Sequence, residues 1–249
     1  MEKTYQYIYF FENYSTGKAI QVNDFSELSD SFQNLELDVS RPTIVIVGGA
    51  SKISKEEMNH LQKFFLKVIA PLAESLDAVV VDGGTDAGIM RLIGQAHTKI
   101  RATFPLIGVA AIGTVHLPDT PNYNPDSAPL EPNHTHFLLV PGSNWGDECP
   151  WISRTANILS EGYSSVTLVI NGGEITWQDI LYSIEAKRPI ITLEGSGRTA
   201  DKLAAAVRGE FFDERTSKII AEGDVQAINI RHSVRKFKKI LTEILARKN

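Results

Sequence analysis

Six short apolar runs in this chain each lead into a turn that contains glycine, and no other sequence feature constrains the fold as strongly. Each run holds four to six residues, many of them β-branched, and stretches with helical spacing separate the runs. Their nearly continuous apolar character predicts strands covered on both faces, as in a parallel sheet with helical crossovers. The predicted strands are Thr43–Val47, Ala78–Val81, Leu106–Ala110, His136–Val140, Ser165–Ile170 and Pro189–Leu193, with Val225–Ile230 as a weaker seventh. The predicted fold class is therefore α/β, an open parallel sheet with helices on both faces.

Apolar spacing and start signals predict the helices between these runs. Ser54 and Glu57 form a capping box that begins the first helix, and Pro71 is expected to kink or split it. The segment His116–Pro132 is rich in Pro and Asn and is expected to be a long loop. Further helices are predicted over residues 88–100, 149–161, 177–187, 199–208 and 233–247.

The N-terminal part of the chain has a different pattern. Residues 4–11 and 18–22 predict two strands joined by a turn, and residues 24–41 predict a polar linker. We therefore divide the chain into an N-terminal β-hairpin and linker over residues 1–40 and one α/β domain over residues 41–249.

Charge and cysteine content narrow the classes of function. The formal net charge is −5 over 249 residues, so no general basic field attracts nucleic acid or anionic membranes. The single cysteine, Cys149, excludes an intrachain disulfide and any site with four sulfur ligands. No apolar run is long enough to cross a membrane, and the N-terminus lacks the pattern of a signal peptide. We expect a cytoplasmic protein with no nucleic-acid partner and no direct membrane insertion.

The turns after the runs predict a binding site. Parallel strands deliver their carboxyl ends to one edge of the sheet, where ligands of open α/β folds bind. Glycine lets the backbone approach a ligand closely, and helices that start there direct free N–H groups at an anion. A phosphorylated or pyrophosphate ligand fits this arrangement. The residues predicted to bind it are Gly48, Gly49, Ala50, Ser51, Gly83, Gly84, Thr85, Gly88, Ile89, Met90, Gly113, Thr114, His116, Gly172, Gly173, Gly195, Ser196, Gly197 and Arg198.

Neither of two common phosphate-binding motifs occurs in the sequence. A Walker A loop is absent, as is a strict G-x-G-x-x-G followed by a ribose-binding acid. The sequence therefore disfavours P-loop ATPases and Rossmann dehydrogenases.

Five motifs carry a family resemblance. They are VGGAS (47–51), DGGTDAGIMRLIGQA (82–96), IGVAAIGTVH (107–116), EPNHTHFLLV (131–140) and EGSGRTADKLA (194–204). Together they resemble the N-terminal homology region of melastatin-type TRP channels. More closely they resemble its free-standing prokaryotic relatives, the LSDAT group of the SLOG superfamily. The resemblance covers about residues 41–210, and GTVH, NHTHFLLV and GSGR-x-AD in this order are specific.

The resemblance implies a Rossmann-like fold with a cleft for nucleotide derivatives, which in some of the channels takes ADP-ribose. An arginine of the family, in a helix that opens with Pro, corresponds to Arg154 here. In the channels an arginine follows GTVH, whereas Leu117 follows His116 here, so that phosphate contact does not carry over. The family's glycine turns correspond to Gly48, Gly49, Gly83, Gly84 and Gly88.

A second branch of the superfamily, the cytokinin-activating phosphoribohydrolases, carries P-G-G-x-G-T-x-E-E after a late strand. The matching stretch here begins at Asn171 and holds Ile175 at the middle glycine and Gln178 at the first glutamate. Because glutamine cannot exchange protons as a carboxylate does, this departure weakens the hydrolase hypothesis. If the chain is an enzyme, its candidate catalytic residues are Glu174, Asp179 and Glu148.

Several polar residues have a structural interpretation beside the functional one. Arg154 could clamp a phosphate or form a surface ion pair, and Arg198 could reach a phosphate or cap its own loop. Asp82 could bind a ribose hydroxyl or hold its own turn. His134 and His136 share the period of one strand face, but structural hydrogen bonds are favoured over metal binding, and no metal site is predicted.

These observations favour a cytosolic binding or sensor domain over an enzyme. The ligand is expected to be a small nucleotide derivative such as ADP-ribose, cyclic ADP-ribose or NAD, with no cofactor required. The first alternative is an N-glycosidic or phosphoribosyl hydrolase acting on nucleoside monophosphates or NAD. The second is an oligomerising module with a vestigial cleft, in which the Tyr-rich hairpin and the amphipathic C-terminal helix contact a homo-oligomer or an effector partner.

Overall fold

The computed structural model describes residues 6–10, 15–49, 52, 54–118, 124–210 and 213–248. Within them, nine strands form one sheet and two short strands form another. The strands are β1 (Gln6–Phe10), β2 (Ser15–Gln21), β3 (Thr43–Gly48), β4 (Val79–Asp82), β5 (Leu106–Ala111), β6 (Val115–His116), β7 (Ala128–Pro129), β8 (His136–Val140), β9 (Ser165–Ile170), β10 (Ile190–Glu194) and β11 (Val225–Asn229).

The large sheet has the order β1-β2-β8-β5-β4-β3-β9-β10-β11. Every neighbouring pair is parallel except β1 and β2, which form an antiparallel hairpin. All seven strands predicted for residues 41–249 are present, and the predicted α/β class with a parallel sheet is confirmed. From β3 the chain builds outward through β4, β5 and β8, then returns to the other side of β3 with β9. Such a reversal of strand order creates a crevice at the carboxyl ends, here between β3 and β9.

Helices cover both faces of the sheet. The helices are α1 (Leu28–Asn34), α2 (Lys55–Phe64), α3 (Ala70–Ser75), α4 (Gly88–Ile100), α5 (Cys149–Leu159), α6 (Glu174–Glu185), α7 (Arg198–Val207), α8 (Glu214–Glu222) and α9 (Val234–Leu245). The capping box at Ser54 is confirmed. A π-helical turn over Phe65–Ile69 joins α2 to α3, and Pro71 lies in the first turn of α3. Pro71 lacks the N–H that a continuous α-helix would use, so the interruption lies where proline requires it.

The sheet has a hydrophobic core on each face, and successive residues of a strand contribute to the two cores in turn. Ile44 and Ile46 face a cluster shared with α2, α3, α4 and α9, whereas Val45 and Val47 face α1, α5, α6 and α8. This alternation explains why the runs are apolar at every position. The apolar stripe of α9 is buried in the first cluster, so it is used within the chain and is not open to an oligomer partner.

The prediction of a polar linker over residues 24–41 is wrong. This segment contains α1, whose Leu28 and Phe32 are fully buried against the sheet. Helix α8 was not predicted, and α6 begins at Glu174 rather than at Trp177. The predicted long loop contains β6 and β7, and its residues 119–123 lie outside the described part of the chain.

The N-terminal hairpin extends the main sheet. Strand β2 pairs in parallel with β8, and Phe10 packs against Phe137 at 6.0 Å between ring centroids. Residues 4, 5 and 11–14 of the predicted hairpin lie outside the described residues. In the described part of the chain, no helix is long and apolar enough to cross a membrane.

Candidate functional site

A cavity of about 320 Å³ lies at the carboxyl edge of the sheet, beside the crevice between β3 and β9. It collects residues from several predicted turns: Gly48, Gly49, Gly83, Thr85, Met90, Thr114, Gly173 and Arg198. The three carboxylates considered for hydrolysis, Glu148, Glu174 and Asp179, also line it. The fold thus brings eight of the predicted binding residues and all three candidate acids to one space.

A wider groove adjoins this cavity on the side of α2 and α4. Trp145, Thr85 and Met90 line both spaces, and Gly88 at the start of α4 lines the groove. The cavity and the groove therefore form one continuous depression along the edge of the sheet.

Other predicted binding residues line neither of these two spaces. Ile89 is fully buried in the core. Ser196 accepts a hydrogen bond from the Asn171 amide at 2.8 Å, which fixes the turn after β9. The residues outside both spaces are Gly84, Ile89, Gly113, His116, Gly172, Gly195, Ser196 and Gly197. Ala50 and Ser51 lie outside the described residues.

The structure does not place Arg154 in the cavity. Its side chain is exposed on the outer face of α5, and its guanidinium stacks over the ring of Phe25 at 4.5 Å. Ile152, two positions earlier on the same helix, faces the cavity instead. Because two helical steps turn a side chain by about 200°, the two residues point in opposite directions.

Glycine is required at the turn after β3 by close contact. Gly48 has φ +131°, and a Cβ added there would lie 1.9 Å from the Ile170 carbonyl oxygen at the end of β9. Any other residue would separate the two strands between which the crevice opens. The glycine at this position therefore maintains the crevice.

The backbone at the start of α4 is suited to an anion. Ala87 is the N-cap residue and supplies no side-chain acceptor for the first amides of the helix. Free N–H groups and the helix dipole favour negative charge at such a terminus. In the adjoining cavity, the Arg198 guanidinium lies within 3.3 Å of where a Cβ on Gly173 would stand. Backbone amides and a cation therefore both face the depression.

A fully buried ion network lies beneath the turn after β4. His134 lies between Asp82, with Nε2 at 2.9 Å from Oδ1, and Glu131, with Nδ1 at 2.8 Å from Oε2. The two carboxylates outweigh the cost of burial and raise the pKa of His134 to about 10, so the ring is an imidazolium that donates both hydrogen bonds. Asp82 also accepts the Gly84 amide at 2.7 Å. The network therefore fixes the DGGTDAG turn, which is the structural role considered for Asp82.

Two of the carboxylates in the cavity have perturbed acidity. Burial, together with a smaller effect from the charge of Glu148, raises the pKa of Asp179 to about 7. Burial also raises the pKa of Glu148, whose Oε2 accepts the Gly146 amide at 2.9 Å. The buried Asp179 Oδ1 has no hydrogen-bond partner among the described residues. Asp179 can therefore hold and release a proton near neutral pH, and Glu148, whose pKa is also raised, lines the same cavity.

Sequence reasoning left most of the apolar wall out of the predicted site. These lining residues are Ile46, Val47, Ala110, Ala111, Trp145, Ile152, Ile175 and Thr176. Their signal in the sequence is only proximity to a strand end, which core residues share. Within the described residues, no group of three His, Cys, Asp or Glu side chains could hold a metal ion.

Strand order, crevice and helix positions define a doubly wound, Rossmann-like α/β domain. The X-ray structure of TM1055 has the same fold, with a TM-score of 0.50 and 21% sequence identity. It covers 80% of this chain, which in turn covers 99% of it. The chain belongs to the family described as "SLOG in TRPM, prokaryote", whose model matches residues 41–238. The family predicted from the sequence is thereby confirmed.

Two animal channels are among the similar proteins. Transient receptor potential cation channel subfamily M member 2 of Mus musculus is 26% identical over 227 residues, which is 76% of this chain. The member-like 2 protein of Nematostella vectensis is 26% identical over 233 residues, or 78% of this chain. The chain spans only 15% and 14% of these relatives.

Proposed function

We propose that this chain binds a nucleotide-derived ligand of the ADP-ribose type and acts as a cytoplasmic binding or sensor domain. One observation carries the proposal: the turns after β3, β4 and β9 and the start of α4 meet around one depression at the crevice of a doubly wound sheet. This is where open α/β sheets bind their ligands. No cofactor is needed for binding alone.

The chemistry of the depression suggests an orientation for such a ligand. A pyrophosphate fits the amides at the start of α4, with Arg198 in the adjoining cavity. Glu148 and Asp179 offer oxygen acceptors to the hydroxyls of a ribose. Trp145, which borders both cavity and groove, presents an aromatic surface to a base.

Calorimetric titration with ADP-ribose, cyclic ADP-ribose, NAD and AMP tests the proposal, with Gly83→Leu as the blocking variant. A Cβ at Gly83 meets no atom within 4 Å, and Gly83 lines the cavity, so we expect a leucine there to extend into the cavity. We expect the wild-type chain to bind at least one of these ligands and the variant to lose that binding. Ser29→Leu adds the same side chain at an exposed position of α1 and should bind normally. Unchanged affinity in the Gly83 variant would exclude this cavity as the binding site.

The acid pair supports hydrolysis of an N-glycosidic bond as a second candidate function. Asp179 would donate its proton to the departing base while the bond between C1′ and nitrogen breaks. Glu148 would take a proton from water, whose oxygen then bonds to C1′. The pKa of Asp179, raised to about 7, lets this carboxyl hold the proton that it would donate near neutral pH.

Chromatography after incubation with nucleoside monophosphates or NAD decides between binding and hydrolysis. Hydrolysis predicts release of free base that Asp179→Asn abolishes and that declines above about pH 7, as Asp179 loses its proton. Glu185→Gln, on an exposed face of the same helix, should leave release unchanged. If the wild-type chain releases no base from ligands that it binds, the sensor proposal stands alone.

A further inference from the structure

A third space continues the depression away from the acid pair. This lysine arm runs between α2, with its π-helical turn, and α4, and holds about 320 Å³. It shares Gln62, Leu92 and Gln95 with the wider groove. Because α4 rises roughly 1.5 Å per residue, the path from Gly88 in the groove to Lys99 in the arm is roughly 16 Å long. The path therefore exceeds what one pyrophosphate occupies.

Three cations converge on this arm from two helices. Lys63 and Lys67 are one turn apart on the α2 side, and Lys99 faces them from α4. All three side chains are exposed, and none makes an ion pair with the described residues. The whole chain has a net charge of −5, so three lysines without ion pairs make this groove a local region of positive charge. Cations held close together repel one another, and a bound polyanion relieves that repulsion.

The depression is thus polarised from end to end. Glu148 and Asp179 occupy one end, the amides of α4 lie between, and the three lysines line the other. We infer that the lysine arm binds an additional phosphoryl group of the ligand, beyond the pyrophosphate at the start of α4. The concave arm continues from the proposed binding site, which favours a small polyanion over a membrane surface. This inference rests on the proposed function, because it deepens the choice of ligand at the same site.

Calorimetry on the full chain with ADP-ribose and ADP-ribose 2′-phosphate tests the inference, with inorganic tripolyphosphate as a third probe. The test variant carries Lys63→Gln, Lys67→Gln and Lys99→Gln. The control carries Lys202→Gln, Lys218→Gln and Lys238→Gln, which remove the same charge from positions outside these three spaces. Charge-assisted contacts predict that wild type prefers the 2′-phosphate by about tenfold or more. We expect the test variant to lose that preference while binding ADP-ribose within about twofold, and the control to keep it. The preference should shrink with added salt.

The outcomes separate the inference from the proposed function. If the wild type binds the two nucleotides with equal affinity, the inference about the lysine arm is overturned, but the proposed binding site is not. If neither nucleotide binds, the proposed function fails, and the inference about the lysine arm then depends on tripolyphosphate alone. Tripolyphosphate binding that is lost only in the test variant would support the inference. Any other result with tripolyphosphate would overturn it. Binding of the arm to phosphatidylserine vesicles but not to tripolyphosphate would also overturn it.

Discussion

His134 connects two segments of the chain that are 49 residues apart in sequence, at Asp82 and Glu131. Its ring joins Asp82, at the end of β4, to Glu131, before β8. The Glu131 carboxylate packs so closely on α4 that a Cβ at Gly94 would lie 2.0 Å from it. Removing one partner of a buried ion network leaves an uncompensated charge, so the three side chains depend on each other.

The raised pKa of His134 predicts how stability depends on pH. Between the ordinary pKa of 6.5 and the folded value of about 10, the folded chain holds a proton that the unfolded chain releases. This contribution is complete below pH 6.5 and is lost as pH rises through about 10. His134→Gln should lower the free energy of unfolding by about 3–5 kcal/mol at pH 6, and its deficit should narrow towards pH 10. Urea unfolding of both proteins across this range measures the difference.

His232→Gln is the matched control, because His232 is exposed. Its urea midpoint should follow that of the wild type at every pH. A His134→Gln deficit that stays constant from pH 6 to pH 10 would contradict a charged ring in the folded chain.

Helix α1 shows how a short covering helix escapes prediction from sequence. It has seven residues, too few for helical spacing to stand out, and polar residues surround Leu28 and Phe32. Short helices are unstable alone and depend on packing against the rest of the fold. Here the sheet supplies that packing, since both side chains lie in the cluster with Val45.

Phe32→Ala tests whether α1 belongs to the core. Phe32 is fully buried, so the substitution should lower the free energy of unfolding by about 3–5 kcal/mol through lost burial and the cavity left behind. Gln33→Ala, at the exposed neighbouring position, should change it by no more than about 0.5 kcal/mol. Denaturant titration compares the two variants. Equal effects would mean that α1 does not pack against the sheet in solution.

The candidate site joins both halves of the molecule. Gly48 and Gly83 come from the half that builds through β4 and β5, whereas Gly173 and Arg198 follow β9 and β10. A ligand in this cavity would contact both halves at once, and the proposed function therefore predicts that it binds only the folded chain.

Ligand binding should accordingly stabilise the whole fold. At a ligand concentration of one hundred times Kd, binding to the native state alone adds about 2.7 kcal/mol. We expect ADP-ribose to raise the thermal midpoint of the wild type, as followed by calorimetry. Gly83→Leu should unfold at the same temperature without ligand and show no rise with it. A rise of equal size in both proteins would place the ligand elsewhere.

The linear order of residues was sufficient for the parallel strands, for most of the helices and for the family. Continuous apolar runs predicted the strands, glycine after each run predicted turns that gather at one edge of the sheet, and five motifs predicted the family. Each of these depends on neighbours along the chain, where the periods of helix and strand are visible.

Tertiary structure alone decided which residues share the site. Arg154 and Ile152 are two positions apart, and only the docking of α5 shows that Ile152 faces the cavity. Asp82, Glu131 and His134 meet because strand order places β4 beside β5 and β5 beside β8. The acid pair and the lysine arm likewise arise between elements far apart in sequence. The rotation of a helix about its axis and the order of the strands depend on which faces of the helices and of the sheet are buried. Segments that are distant in sequence form those faces together.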